Sequence, residues 1–236
     1  MRRSGRKGIV GIEAAIVMIA FVIVASAFAF MVVNMGLTST QRSKEAIQQG
    51  LKEASCPLTL DGSLLLKSQG ENNVSAIIIP LKTLGVKYVP MWTNETVVSI
   101  KIGTRVALAN IYAGINHTVD PTVMTFDAIL ENVTRSGGHL YGWWSRLGLS
   151  ITQDANDPDD TNCTGAVLIV ENDNGDDSLD FFEKGYLIIV LGTGDNARAV
   201  PRDNILIEIR PEKSAPLTIE FTVPEAIPAD AYVTVE

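Results

Sequence analysis

The order of apolar and polar positions divides the chain into one long apolar run near its start and a series of short apolar segments after it. From Ala14 to Val33 there are 20 consecutive residues, of which only Ser26 is polar. At a helical rise of about 1.5 Å per residue, such a run is long enough to cross a hydrocarbon layer roughly 30 Å thick. The pattern therefore predicts a helix that enters a membrane.

This helix is expected to continue beyond the apolar run. The segment from Leu37 to Ser55 contains no proline and is rich in Gln, Lys, Glu and Ala, which are compatible with a helix. Pro57 disfavours helical backbone at Cys56. A helix over residues 9–56 would be about 70 Å long, more than a bilayer requires, and this excess is typical of a rod-forming subunit.

After Pro57 the pattern changes to that of β-strands. Ala166–Val170 and Tyr186–Leu191 are continuous apolar runs, which predict central strands buried on both faces. Ile205, Ile207 and Ile209 alternate with polar residues, as in a strand with one buried face. Residues 57–236 are therefore predicted to form an Ig-like β-sandwich domain, and the whole chain is assigned to the α+β class. The remaining predicted strands are Ser75–Leu81, Tyr88–Met91, Thr96–Ile102 and Leu217–Val223.

The aromatic segment from His139 to Trp144 has two interpretations. Large aromatic side chains dominate both domain cores and subunit interfaces. The segment is therefore either core packing, which we favour, or a contact between subunits.

The residues before the apolar run form a basic leader, Met1–Gly8, with four cations and no acid. Three interpretations compete: a signal peptide cut after the apolar run, a permanent signal anchor, and a leader cut between Gly8 and Ile9. Glu13 bears on this choice because a carboxylate near the end of a spanning helix is costly and usually has a partner. If the chain is cut after Gly8, the new amine of Ile9 could pair with Glu13 of a neighbouring helix. The alternative is that Glu13 has no such partner and lies at the level of the lipid headgroups.

Both ends of the chain resemble one known family. The leader ending in Arg6-Lys7-Gly8 resembles the class III signal peptide of archaellins, the archaeal flagellins of the type IV pilin-like superfamily. The segment Ile9–Ile16 resembles the start of their mature chains, and Ala215–Pro224 resembles their C-terminal signature. Asn34–Leu37 and Gln41–Glu45 are also similar.

The resemblance implies a maturation path and an assembly. A prepilin-type signal peptidase would cut after Gly8, the membrane-held precursor would leave the cytoplasmic membrane, and the hydrophobic helices would bundle into the core of an extracellular filament, with the β-domains outside. The partners implied are further copies of the chain, alone or with paralogous subunits, and the motor and export platform of the archaellum.

The function expected from this resemblance is a structural subunit of an archaellum filament that supports swimming. Two alternatives stay open. A non-rotating type IV pilus or adhesion filament would share the leader and the helix. A signal-anchored extracellular binding protein would keep its leader and would not polymerise.

Composition narrows the choice of partners. The formal net charge is −8, and removing the four leader cations leaves 15 Lys and Arg against 27 Asp and Glu, a charge of −12. An acidic domain repels nucleic acid, and the sequence contains no basic patch with interleaved aromatic residues that would indicate nucleic-acid binding. Acidity is instead suited to keeping an exposed polymer surface soluble.

The two cysteines, Cys56 and Cys163, allow one disulfide in an exported chain. The alternative is two small side chains that never meet, because a domain of this size does not need a covalent cross-link.

Five asparagine sequons occur in the middle of the sequence and nowhere else. They predict that this section faces solvent and that several of its sites carry N-linked glycans. The sequon asparagines are Asn73, Asn94, Asn116, Asn132 and Asn162.

An acidic segment after the predicted central strand has some features of a calcium loop, namely spaced carboxylates, a turn glycine at Gly175 and a later glutamate. The alternative is an ion-free surface turn. The candidate Ca²⁺ ligands are Glu171, Asp173, Asp176, Asp177 and Glu183.

No enzyme is predicted, and no cofactor is required. The two histidines, His117 and His139, have no nucleophile motif or metal-ligand spacing around them, and the sequence contains no P-loop or H-E-x-x-H motif.

Overall fold

The structure is a computed structural model that describes residues 7–54, 56–70, 72–153, 161–194, 197–212 and 214–235; the side chains of residues 7–10 and 52–54 are not described. Most of the predicted leader therefore lies outside the described residues. The chain divides into two compact units, Met1–Lys52 and Glu53–Glu236.

The first unit is a single helix. Helix α1 runs without interruption from Lys7 to Ala54, a length of 48 residues. It ends shortly before Pro57, as expected, because a residue that precedes proline avoids helical backbone. The predicted helix over residues 9–56 thus differs from α1 by two residues at each end.

The described residues of the second unit form two main β-sheets and two short helices. The large sheet has the strand order β13-β2-β3-β10-β8-β7, with β1 also pairing with β3, and the small sheet has the order β12-β11-β5-β6. Strands β4 and β9 form a separate pair. The strands are β1 Leu58–Leu60, β2 Leu64–Ser68, β3 Val74–Thr83, β4 Tyr88–Pro90, β5 Val97–Ile102, β6 Val106–Leu108, β7 Tyr112–Ile115, β8 Gly165–Glu171, β9 Ser178–Asp180, β10 Lys184–Val190, β11 Asn204–Arg210, β12 Leu217–Thr222 and β13 Tyr232–Val235; the helices are α2 Phe126–Thr134 and α3 His139–Arg146.

The two main sheets pack face to face around one hydrophobic core. Ile205, Ile207 and Ile209 are all fully buried in it, which confirms the alternation predicted for this strand. Ile207 lies opposite Ile100 of β5 on one side and Ile219 of β12 on the other. Antiparallel pairing brings these apolar side chains onto one face of the small sheet. The predicted sandwich is therefore present.

A helical layer covers the other face of the large sheet. Ile188 of β10 and Val167 of β8 belong to a second buried cluster with Ile129 of α2 and Trp144 of α3. Strands β8 and β10 are thus buried on both faces, as their continuous apolar sequences predicted. The two helices were not predicted from the sequence, and they add a third layer to the predicted sandwich.

The aromatic segment forms α3 and contributes to the core. Trp144 is fully buried, and its Nε1–H donates a hydrogen bond to the carbonyl oxygen of Thr164 at 3.0 Å. Gly165 makes room for the indole, because a Cβ at this glycine would lie only 2.9 Å from Nε1 of Trp144. Core packing, the favoured interpretation of this segment, is confirmed for Trp144.

Candidate assembly helix and modification sites

Helix α1 exposes apolar side chains on every side. Successive helical residues are about 100° apart, so the four residues Phe21–Val24 point in different directions around the axis. Each of them is more than 60 % exposed. The segment Gly11–Leu51 is long and apolar enough to cross a membrane, and its most apolar window is entirely unburied within the single chain. A helix with this character needs lipid or other apolar helices around it.

Three hydroxyl groups on α1, those of Ser26, Thr38 and Thr40, donate to backbone carbonyl oxygens of the preceding turn. The Ser26 hydroxyl donates to the carbonyl oxygen of Val22 at 2.7 Å, and that of Thr38 donates to the carbonyl oxygen of Asn34 at 2.8 Å. Because these groups do not require water, they can enter an apolar environment at low cost. Glu13 is exposed and lies one helical turn after Ile9, so the two residues occupy the same face of α1.

The sequon asparagines differ in their surroundings. Asn73 and Asn94 are exposed, Asn132 and Asn162 are partly buried, and Asn116 is only 3 % exposed. Asn116 has a local structural role, because its Oδ1 accepts hydrogen bonds from the backbone N–H and the hydroxyl of Thr118. Asn94 lies in a turn in which the Thr96 N–H donates to the carbonyl oxygen of Trp92.

Asn162 also has a structural role. Its Nδ2 donates to the carbonyl oxygen of Ser150 at 2.7 Å, and its Oδ1 accepts from the Thr152 N–H at 2.8 Å. Asn162 thereby fixes the backbone that follows α3. The amide nitrogen that would carry a glycan is already used within the fold.

His117 lies between two carboxylates of the acidic segment. Its Nδ1 is 2.6 Å from Oδ2 of Asp173, and its Nε2 is 3.3 Å from Oδ1 of Asp177. Partial burial lowers the pKa of His117, but these hydrogen bonds and the charges of the two aspartates together raise it above its ordinary value. The sequence alone does not indicate this contact, because 56 and 60 residues separate the partners.

The other acidic side chains of the segment bind backbone and side-chain groups. Glu183 accepts from the N–H groups of Asn174 and Asp180, and Glu171 accepts from the Tyr186 hydroxyl. In the part of the chain that the structure describes, no group of three or more His, Cys, Asp and Glu side chains is arranged to hold a metal ion. The calcium site stays a prediction.

The cysteines form no disulfide. Cys56 and Cys163 are both present as thiols, and Cys163 is buried. The Cys56 thiol donates to the carbonyl oxygen of Leu58 and the Cys163 thiol to Oδ1 of Asn162, each at 3.3 Å. The disulfide alternative is therefore wrong in this structure, since each thiol is placed by contacts of its own.

The second histidine has a structural environment. Nε2 of His139 lies at 3.1 Å from the carbonyl oxygen of Ala113, to which it donates. Burial lowers the pKa of His139, and the nearby Arg146 charge acts in the same direction, against the raising effect of this hydrogen bond. His139 thus connects α3 to β7.

Two comparisons with known sequences agree over almost the whole chain. The archaeal-type flagellin family matches residues 8–221, so the match begins at the predicted cleavage site. The chain is also 37 % identical to probable flagellin 1 of Aeropyrum pernix over 99 % of both sequences.

Solved structures with a similar fold include a filament and a single subunit. The archaeal flagellum of Methanospirillum hungatei strain JF1 superposes with a TM-score of 0.52 at 19 % identity, covering 95 % of this chain and 99 % of that one. Archaeal flagellin FlaB1 of Methanocaldococcus jannaschii gives a TM-score of 0.50 at 13 % identity, covering 75 % and 94 % respectively. These similarities support the fold of this chain, a long apolar helix followed by a β-rich domain.

Proposed function

Because this chain belongs to the archaeal-type flagellin family and is a structural subunit of an archaellum filament, we propose that copies of α1 pack together as the core of that filament. In such a filament the second unit of each subunit would face solvent. The assembled filament would support swimming.

The observation that carries this proposal is the apolar surface of α1, whose described side chains from Gly11 to Leu51 are all exposed. Burying one Val, Leu, Ile or Phe side chain contributes about 1.5–3 kcal/mol, so a helix with a dozen or more such residues gains much from lateral packing. Small residues permit close approach of neighbouring helices. Those within the apolar run are Ala14, Ala15, Ala20, Ala25, Ala27 and Ala29.

The same helix would hold the precursor in the cytoplasmic membrane before assembly. We propose that a prepilin-type signal peptidase removes the leader after Gly8, and that the new amine of Ile9 pairs with Glu13 of a neighbouring helix. An ion pair of this kind would offset the cost of placing Glu13 in an apolar core. The further partners proposed for the subunit are the export platform and the motor of the archaellum.

N-linked glycans are the second feature proposed for the filament surface. Asn73 and Asn94 are the best acceptors among the five sequons, because their side chains are exposed and a glycan on either would not displace a buried group.

A charge placed in the middle of α1 tests the proposed core. We expect Val24→Asp to prevent filament formation, because a charge in the middle of an apolar helix costs about 2.5–3.5 kcal/mol. The rest of the apolar run should keep the precursor in the membrane fraction. The measurements are electron microscopy of surface filaments and the distribution of the chain between membrane and sedimented polymer.

Ser39→Asp is the matched control, since it adds the same charge to the exposed polar half of α1, where we expect filaments to form normally. Normal filaments built from the Val24→Asp subunit would contradict the proposal.

A further inference from the structure

Every sequon contains a residue that the folded second unit buries. Enzymes that attach N-linked glycans recognise both the asparagine amide and the hydroxyl group two residues later. In each of the five sequons one of these two residues is at most 5 % exposed. The buried members are Ser75 (2 %), Thr96 (0 %), Asn116 (3 %), Thr134 (0 %) and Thr164 (5 %).

The buried residue of the Asn73 sequon lies in a central strand. Ser75 belongs to β3, which pairs with β2 on one side and β10 on the other. Its carbonyl oxygen accepts a hydrogen bond from the Leu191 N–H at 2.8 Å. An enzyme could reach this hydroxyl only if β3 left the middle of the large sheet, and central strands open only at a cost near the full free energy of unfolding.

Three further sequons also have a buried hydroxyl residue, which lies in a regular element or directly before one. Thr96 directly precedes β5 of the small sheet, and Thr134 donates to the carbonyl oxygen of Leu130 within α2. The Thr164 hydroxyl accepts from the Gly192 N–H at 2.9 Å. Only the Asn116 sequon exposes its hydroxyl residue, Thr118, and there the asparagine itself is buried.

We infer that glycan transfer to this chain takes place before the second unit folds, and that folding ends the period in which transfer is possible. This inference rests on the proposed glycosylation. The donor is a lipid phosphate-linked oligosaccharide. A bond forms between C1 of its first sugar and Nδ2 of asparagine, the C1–O bond to the phosphate breaks, the lipid phosphate leaves with the electron pair, and Nδ2 loses a proton.

The order of events also restricts which sites survive in the folded product. An asparagine that carries a glycan must end up at the surface, as Asn73 and Asn94 do. A chain modified at Asn116 could not bury that side chain or form its hydrogen bonds to Thr118. Native filaments should therefore carry glycans at Asn73 and Asn94 and none at Asn116.

The test compares transfer to folded and folding chains. The full-length chain is produced without glycans in detergent and is either refolded before transfer or diluted from denaturant directly into the reaction. The reaction contains an oligosaccharyltransferase and its lipid-linked donor. Occupancy at each asparagine is measured by peptide mass mapping.

An accessible sequon introduced by one substitution provides the matched control. Gly148→Asn creates a sequon with Ser150, and both positions are exposed. Gly148 has a φ of +74°, a conformation that asparagine tolerates better than most residues, and no atom lies within 4 Å of the place of a Cβ. All measurements use this variant, so that the accessible and the native sequons compete in one chain.

In the refolded chain we expect modification at position 148 and at least about tenfold lower occupancy at Asn73 and Asn94, because their sequons become accessible only through unfolding. Dilution from denaturant should remove this difference. Equal occupancy of all three sites in the refolded chain would overturn the inference while leaving the glycosylation intact. Bare Asn73 and Asn94 under both conditions would overturn the glycosylation and the inference together.

Discussion

Asp61 connects the turn after β1 to two strands of the large sheet. Its Oδ1 accepts a hydrogen bond from Nζ of Lys82 at 2.6 Å, and Oδ2 lies 3.8 Å from Nζ of Lys184. The hydrogen bond from Lys82 lowers the pKa of Asp61 more than partial burial raises it, and the charges of both lysines add to the lowering.

This lowered pKa predicts a pH dependence of stability. A carboxyl group with a lowered pKa in the folded state stabilises the fold above its unfolded pKa of about 3.9, and this contribution is lost as the pH falls through the folded value. We therefore expect Asp61→Asn to lower the melting temperature by about 1–3 °C at neutral pH, a size typical of a solvent-accessible ion pair. The difference should vanish near pH 2, in melting curves followed by circular dichroism.

Lys82→Gln serves as the partner variant in a double-mutant cycle. If the ion pair is responsible, the two substitutions together should cost little more than either alone. A melting difference for Asp61→Asn that persists unchanged at low pH would contradict the assignment.

His117 contacts Asp173 and Asp177, two residues that lie far from it in the sequence. The sequence alone presents these aspartates only as candidate calcium ligands, through the spacing of carboxylates within one segment. It could not indicate the histidine, because the contact depends on how β7 and β8 lie side by side as a parallel pair. Local spacing carries no information about such a neighbour.

At the scale of elements, Trp144 is the largest side chain that packs α3 onto the large sheet. Trp144 is fully buried, whereas its neighbour Trp143 is only partly buried at the edge of the same cluster. The Nε1–H of Trp144 donates to the carbonyl oxygen of Thr164, the residue directly before β8. The helical layer therefore depends on Trp144 far more than on the adjacent tryptophan.

We expect Trp144→Ala to lower the free energy of unfolding of the second unit by about 3–5 kcal/mol, because it opens a large cavity and removes a buried hydrogen bond. Trp143→Ala is the matched control on the same helix and should cost about 1 kcal/mol. The measurement is urea unfolding followed by far-ultraviolet circular dichroism. Equal losses for the two variants would show that Trp144 does not hold the helical layer in place.

The two short helices, α2 and α3, could not be predicted from the sequence because they are too short. α2 and α3 contain 9 and 8 residues, and hydrophobic periodicity becomes a clear signal only over about 11–18 residues. The Thr125 hydroxyl caps α2 by accepting from the Ala128 N–H, which is a local signal that was present in the sequence. The long helix α1 needed no such detail, because its apolar run is unbroken.

At the scale of the whole molecule, maturation and assembly are coupled through the first residues of α1. Ile9 becomes the first residue of the subunit if the leader is removed as proposed. We expect intact mass and N-terminal sequencing of subunits from surface filaments to give a chain that begins at Ile9. Filaments whose subunits still carry the arginine-rich leader would contradict this maturation step.

Glu13→Gln adds a second measurement to this prediction. The substitution keeps the shape of the side chain and removes its charge, so processing should continue. The yield of filament should fall if the Ile9 amine loses its partner in the core, because an unpaired buried charge is strongly destabilising. Unchanged filament yield would contradict the proposed pairing while leaving the leader removal intact.

The sequence by itself determined the long helix, the central strands and the alternation of the core-facing isoleucines of β11. These features depend on neighbouring residues along the chain, so the periods of apolar residues are enough to predict them. The resemblance at both ends of the chain likewise identified the family before any fold was known.

Only the tertiary structure decided the helical layer on the large sheet, the separation of the two thiols and the contact of His117 with two aspartates. It also decided which half of each sequon is buried. Each of these depends on segments far apart in sequence that pack on the same sheet. Burial is a property of the packed layers, and a motif of three residues cannot report which of its side chains the layers will enclose.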